Sequence, residues 1–137
     1  MPDQEQINDR AKLIMHRLLA RELARDANLV VRAREFLRQR AMRMPEREFT
    51  REWEQILSLP LAELRRALTG RSEEMARLRL SSPFPVVSRL GLNEIPLRRR
   101  IWRMARRSLE RSPNALPIWW FYLSPNVATP GPQLGGR

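Results

Sequence analysis

Residues 96–111 read PLRRRIWRMARRSLER. On a 3.6-residue repeat, Leu97, Ile101, Met104, Ala105 and Leu109 fall on one side of a helix. Arg100, Arg103, Arg107 and Arg111 gather on another, flanked by Arg99 and Arg106, and Trp102 sits near the boundary. The stretch is therefore an amphipathic helix whose apolar side needs a core or a partner. The same spacing recurs along the chain, and β-branched runs are absent. The fold class that follows is all-α: a compact bundle of about five to six helices with an irregular, Pro-rich C-terminal tail.

Toward the N-terminus, Asn93 is the expected cap of this helix, and residues 83–92 read as a loop because Pro83 and Pro85 stop the helix before it. That preceding helix starts after Ser72 with Glu73 and Glu74, the charge favoured at a helix N-terminus, and ends near Ser82. Another runs from about Pro60 to Thr69 with Leu61, Leu64 and Leu68 inward; Ser58 is its expected cap and Gly70 its stop. A helix over about Glu46 to Leu57 buries Phe49, Trp53, Ile56 and Leu57, with Pro45 breaking the chain before it. Asp26 or Asn28 caps a helix reaching about Met42, with Leu29, Val30, Ala33, Leu37 and Ala41 on one side. The first helix spans about Gln4 to Arg25, its stripe Ile7, Ala11, Ile14 and Leu18 widened by Met15 and Leu19. The first, third and fourth helices are expected to build the core around Trp53.

Toward the C-terminus the character changes. Pro113, Pro117, Pro125, Pro130 and Pro132 exclude a long helix, yet LPIWWFYL (116–123) is the most hydrophobic run of the chain. Residues 1–112 are read as a helical domain and 113–137 as a Pro-rich, aromatic tail. So contiguous an apolar run either folds back over the domain or invites association.

The 137 residues fit one domain. There is no cysteine, which removes disulfides, thiolate nucleophiles and Cys-type zinc sites and suits the cytoplasm. No secretory signal or membrane span is legible. The single histidine, His16, has no second ligand at metal spacing and reads as a partly buried helical imidazole. No Gly-rich phosphate loop or nucleophile elbow occurs. The acidic residues alternate with arginines at helical spacing, as in Glu73 and Arg77, the pattern of surface pairs. No catalytic residue, metal or cofactor is expected.

The net charge of +11 points to an acidic partner. It divides as +4 over residues 1–45, zero over 46–82 and +7 over 83–137, so the field is C-terminal. Only Lys12 is a lysine; the other 25 basic residues are arginine, which contacts phosphate or carboxylate in bidentate fashion. The candidate partner-binding residues are Arg99, Arg100, Trp102, Arg103, Arg106 and Arg107 on the basic helix, with Trp119 and Trp120 in the tail. They suit an acidic protein surface or, alternatively, DNA or RNA. The helix pair 61–80 offers a second nucleic-acid element. Against it, Glu73 and Glu74 occupy the positions that would face a duplex, where carboxylates meet repulsion.

Three segments, DRAKLIMHRLLARELARD (9–26), REWEQILSLPLAELRRALTGRSEEMARLRLSSPF (51–84) and PLRRRIWRMARR (96–107), carry a resemblance. Together they resemble small helical bacterial antitoxin-like proteins encoded beside nucleotidyltransferase-type toxins. The resemblance covers residues 9–107, and the tail departs from it. It implies neutralisation of a partner toxin by direct binding. A nucleotidyltransferase gathers carboxylates for its metal and triphosphate, a cleft that an arginine-bearing helix could cover.

Overall fold

The computed structural model describes residues 2–44 and 48–111. Among these residues the chain forms seven helices and no strand: α1 (Gln4–Arg25), α2 (Asn28–Arg43), α3 (Glu48–Leu57), α4 (Leu61–Leu68), α5 (Glu73–Arg79), α6 (Phe84–Val87) and α7 (Ile95–Arg111). The fold is all-α, as the periodicity predicts. Trp119 and Trp120 lie outside the described residues.

Four consecutive residues, Leu13, Ile14, Met15 and His16, make α1 the centre of the bundle. With 3.6 residues per turn, four in a row circle the helix, and all four are buried. Neighbours are therefore needed on every side, and α2, α4, α5, α6 and α7 all pack on α1, α7 most extensively. The single stripe read from the sequence undercounts this burial. Arg10, Leu13, His16, Ala20 and Leu23 are also buried, whereas Leu18 is only half-buried. The core likewise extends beyond the first, third and fourth helices. It takes in Leu29, Ala33 and Leu37 of α2, Phe84, Leu92, and Ile101 and Ala105 of α7. Leu61, expected inside, is exposed.

Local chemistry sets the helix ends. Asp3 Oδ1 accepts from Gln6 N at 2.8 Å while Gln6 Oε1 accepts from Asp3 N at 3.0 Å, a reciprocal capping box opening α1. Asp26 Oδ1 accepts from Asn28 N at the start of α2, and Ser72 Oγ accepts from Met75 N at the start of α5, both near their expected places. Two expected caps act elsewhere. Ser58 donates back to Gln55 O of α3, and Asn93 donates to Pro85 O. The stretch read as a loop holds the extra short helix, α6. Its prolines fall where a first turn tolerates them, and Phe84 is fully buried. Gly91, at φ +71, makes the turn into α7 that a side chain would strain.

Trp53 lies inside the core with no exposed surface. Phe84 meets its ring edge-on, with centroids 6.2 Å apart and planes at 70°. The indole N–H donates to Leu78 O and Ser81 Oγ, both at 3.2 Å, which ties α3 to the end of α5. Trp53→Ala removes the ring, the aromatic contact and the hydrogen bond together. The expected loss is about 3–5 kcal/mol in denaturant unfolding; an unchanged midpoint would contradict the placement of Trp53 in the core.

Candidate functional site

Two groups of arginines stand out. One clamps backbone carbonyls. Arg34 donates to Leu57 O (2.7 Å), Arg65 to Ala20 O (3.0 Å), and Arg79 to both Leu68 O (3.1 Å) and Gly70 O (2.7 Å). Leu57 and Leu68 end α3 and α4, where carbonyls lack intrahelical donors. Arg79 is buried within the helix pair 61–80, whose Glu73 and Glu74 are exposed at the start of α5. Arg77 pairs with Glu52 of α3 at 3.0 Å, rather than with the neighbouring Glu73.

The second population lies on α7. Ile101, Ala105 and Ser108 turn inward, and Arg98, Arg99, Arg100, Arg103, Arg106, Arg107 and Arg111 are exposed. Among the described residues only Arg106 has an ion partner, Glu110 at 3.1 Å. The other six make no ion pair or hydrogen bond there.

Where α7 lies against α1, a groove of about 480 Å³ opens. Its apolar lining is Ala11 and Met15 from α1 and Ile95 and Trp102 from α7. Ile95 is 60% exposed at the groove, while Trp102 packs partly on the core. Around this lining stand four cations, Lys12, Arg98, Arg99 and Arg103, together with Asn8. Among the described residues no carboxylate lines the groove. Burial, and then the charge of Arg98, push the Lys12 ammonium below its ordinary range. The groove is thus a preformed concavity with excess positive charge and an indole at its wall, suited to an anionic group joined to an apolar or aromatic one.

Of the residues singled out from the sequence, the groove brings together Arg99, Trp102 and Arg103. Arg100 and Arg107 are exposed outside its lining, and Arg106 is engaged by Glu110. Trp119 and Trp120 lie outside the described residues. The sequence reading missed Asn8, Ala11, Lys12, Met15, Ile95 and Arg98, whose membership depends on how α7 lies on α1. The one legible hint was Lys12, a charge interrupting an apolar run.

Beneath the groove's helix sits His16, with no exposed surface. Its Nδ1–H donates to Lys12 O at 2.7 Å, leaving buried Nε2 without a partner. Burial dominates, and the charges of Arg79 and Lys12 add to it, so the imidazole pKa falls to about 3.

Fold and groove together define a helical protein with a cation-rimmed groove between α1 and α7. No described helix is long and apolar enough to cross a membrane, and no cluster of three or more potential metal ligands occurs among the described residues. No protein-family profile, curated protein or solved structure matches the chain.

His16 sets a pH dependence. The folded state refuses a proton that the unfolded chain accepts from about pH 6.5 downward. Its contribution to stability is complete above that pH and is lost as the pH falls toward 3. At pH 5, about 2 kcal/mol of the stability present at pH 7.5 should be gone, from 1.36 kcal/mol per pH unit. His16→Leu should flatten that slope in urea titrations at the two pH values. Identical slopes in both proteins would refute the assignment.

Proposed function

We propose that the chain is a binding protein rather than an enzyme, and that the α1–α7 groove receives an acidic segment of a partner protein. The observation that carries this reading is the groove itself, with four cations, a partly exposed apolar lining and no carboxylate among the described residues. Arg32, Arg34, Arg38, Arg65, Arg77 and Arg79 are engaged with carbonyls or carboxylates, whereas Arg98, Arg99 and Arg103 beside the groove have no such partner among the described residues. Such a charge excess attracts an anionic partner and orients it, while Ile95 and Trp102 offer anchoring area. The resemblance to antitoxin-like proteins supports the same direction: the partner would be a nucleotidyltransferase-type toxin, held through an acidic surface of that enzyme. Binding of DNA or RNA through the same arginines is the competing reading. A concave site with an apolar lining favours protein, because phosphate contact alone needs neither.

The test is to produce the chain together with the protein encoded beside it and measure the affinity of the purified pair. Reversal of the groove cations (Arg98→Glu, Arg99→Glu, Arg103→Glu) should weaken the complex by roughly 100-fold or more, since breaking close interfacial charge pairs costs about 2–5 kcal/mol each. Arg100→Glu with Arg107→Glu, outside the groove, should weaken it far less. Binding to arbitrary duplex DNA, with a log–log salt slope of about −0.9 per phosphate neutralised and abolished by the same triple reversal, would establish the competing reading instead.

A further inference from the structure

The opposite side of α1 carries a second concavity, of about 200 Å³, lined by Gln6, Asp9, Arg10, Arg71, Arg79 and Leu109 among others. On a helix turning about 100° per residue, Gln6, Asp9, Arg10 and Leu13 lie roughly 160° around α1 from Asn8, Ala11, Lys12 and Met15 of the groove. The two sites therefore share the central helix but no residue.

Three guanidinium groups line this cavity against one carboxylate, Asp9. Arg79 is 3% exposed, and its hydrogen bonds all leave from Nη1, to two neutral carbonyls. Nothing among the described residues accepts from its Nη2. Among the described residues no carboxylate stands within ion-pair distance of Arg79 or of exposed Arg71. A guanidinium this deep without a counterion is costly, because the two carbonyls satisfy Nη1 alone and leave its charge unbalanced, with buried Nε unpartnered among the described residues. Consistent with that, burial lowers the Arg79 pKa to about 10, Asp9 opposes the shift and Arg71 adds to it. Gln6 adds a further donor, since its Oε1 is taken by Asp3 N and its amide N–H groups have no partner among the described residues. Arg71, Arg79 and Gln6 thus present donors and two guanidinium charges around one space, a setting suited to a phosphate group.

We propose that this cavity is an anion site that binds a phosphate group, as inorganic phosphate or as a small phosphomonoester, between Arg71, Arg79 and Gln6. Arg71 lies at the entrance, exposed, and closes over the anion. Arg79 is fixed in advance by its two carbonyl bonds. Asp9 limits the affinity, because its carboxylate faces the same space.

The test uses the full chain, with inorganic phosphate and phenyl phosphate titrated against chloride at matched ionic strength and read by calorimetry and thermal shift. Phosphate should bind saturably and raise the melting temperature beyond the chloride control. Arg71→Gln, at an exposed residue with no partner, should fold normally and lose tenfold or more of that affinity. Asp9→Asn should bind more tightly than the natural chain, a change of sign that a purely structural role for Asp9 would not produce. If phenyl phosphate competes, the ligand is a phosphomonoester; if only inorganic phosphate binds, it is the free anion, and both outcomes uphold the site. A response no larger than chloride, an unaltered Arg71→Gln, or loss of phosphate binding on reversing the α1–α7 groove cations instead would overturn it.

Discussion

Burying one helix on all its sides is the constraint from which the rest of this structure follows. A helix with a single apolar stripe needs one neighbour; α1, buried at Leu13, Ile14, Met15 and His16 in succession, needs several. Five helices meet that need. The arrangement also draws polar groups inward, because α1 carries Arg10 and His16 among its buried residues. Ser108 of α7 receives Arg10 Nη1, and a carbonyl of α1 itself receives His16. Glu22, near the end of the same helix, accepts from Ser88 Oγ at 2.6 Å and Arg89 N at 3.1 Å, fixing the connection that leads into α7. The central helix is thus both the apolar hub and the polar anchor of its surroundings.

An arginine-rich composition carries two meanings in this fold, and only tertiary contacts separate them. A guanidinium presents several donors in a rigid plane, so one side chain can close the open carbonyls of a helix end while its stem packs along the core. Arg34, Arg65 and Arg79 act in that way. On α7 the same residue type faces outward with no described acceptor, apart from Arg106. Total charge therefore overstates how much of the surface is available for recognition. Where unengaged cations share one concavity, as Arg98, Arg99 and Arg103 do in the groove, is the informative quantity.

Much of the fold was legible because it depends on local spacing. The extents of α1 and α2, the burial of Trp53 and the Ser72 cap all follow from residues a few positions apart. What was missed depends on competition between acceptors and on distant partners. Asn93 and Ser58 have the chemistry of caps, but Pro85 O and Gln55 O were better placed to receive them. Phe84 forms a helical turn between prolines because Trp53 and the core hold its ring. The candidate site was half legible. The amphipathic pattern of residues 96–111 placed Arg99, Trp102 and Arg103 beside one another, but not Lys12, some ninety positions earlier. Arg79 was invisible as a buried group, since a sequence reader assigns arginine to the surface.

The pairing of α1 with α7 also fixes the order in which the molecule can become complete. Arg10 and Ser108, hydrogen-bonded in the finished fold, stand 98 residues apart in sequence. A chain emerging from the ribosome produces its most deeply buried helix first and that helix's largest neighbour late. Until α7 arrives, the side of α1 that carries Ala11 and Met15 lacks the helix that lies against it in the finished fold. Contacts this long in range also slow the final closure relative to helical proteins built from sequential neighbours. During synthesis, then, α1 presents to the surrounding solution a surface that the finished protein retains only as the lining of a groove.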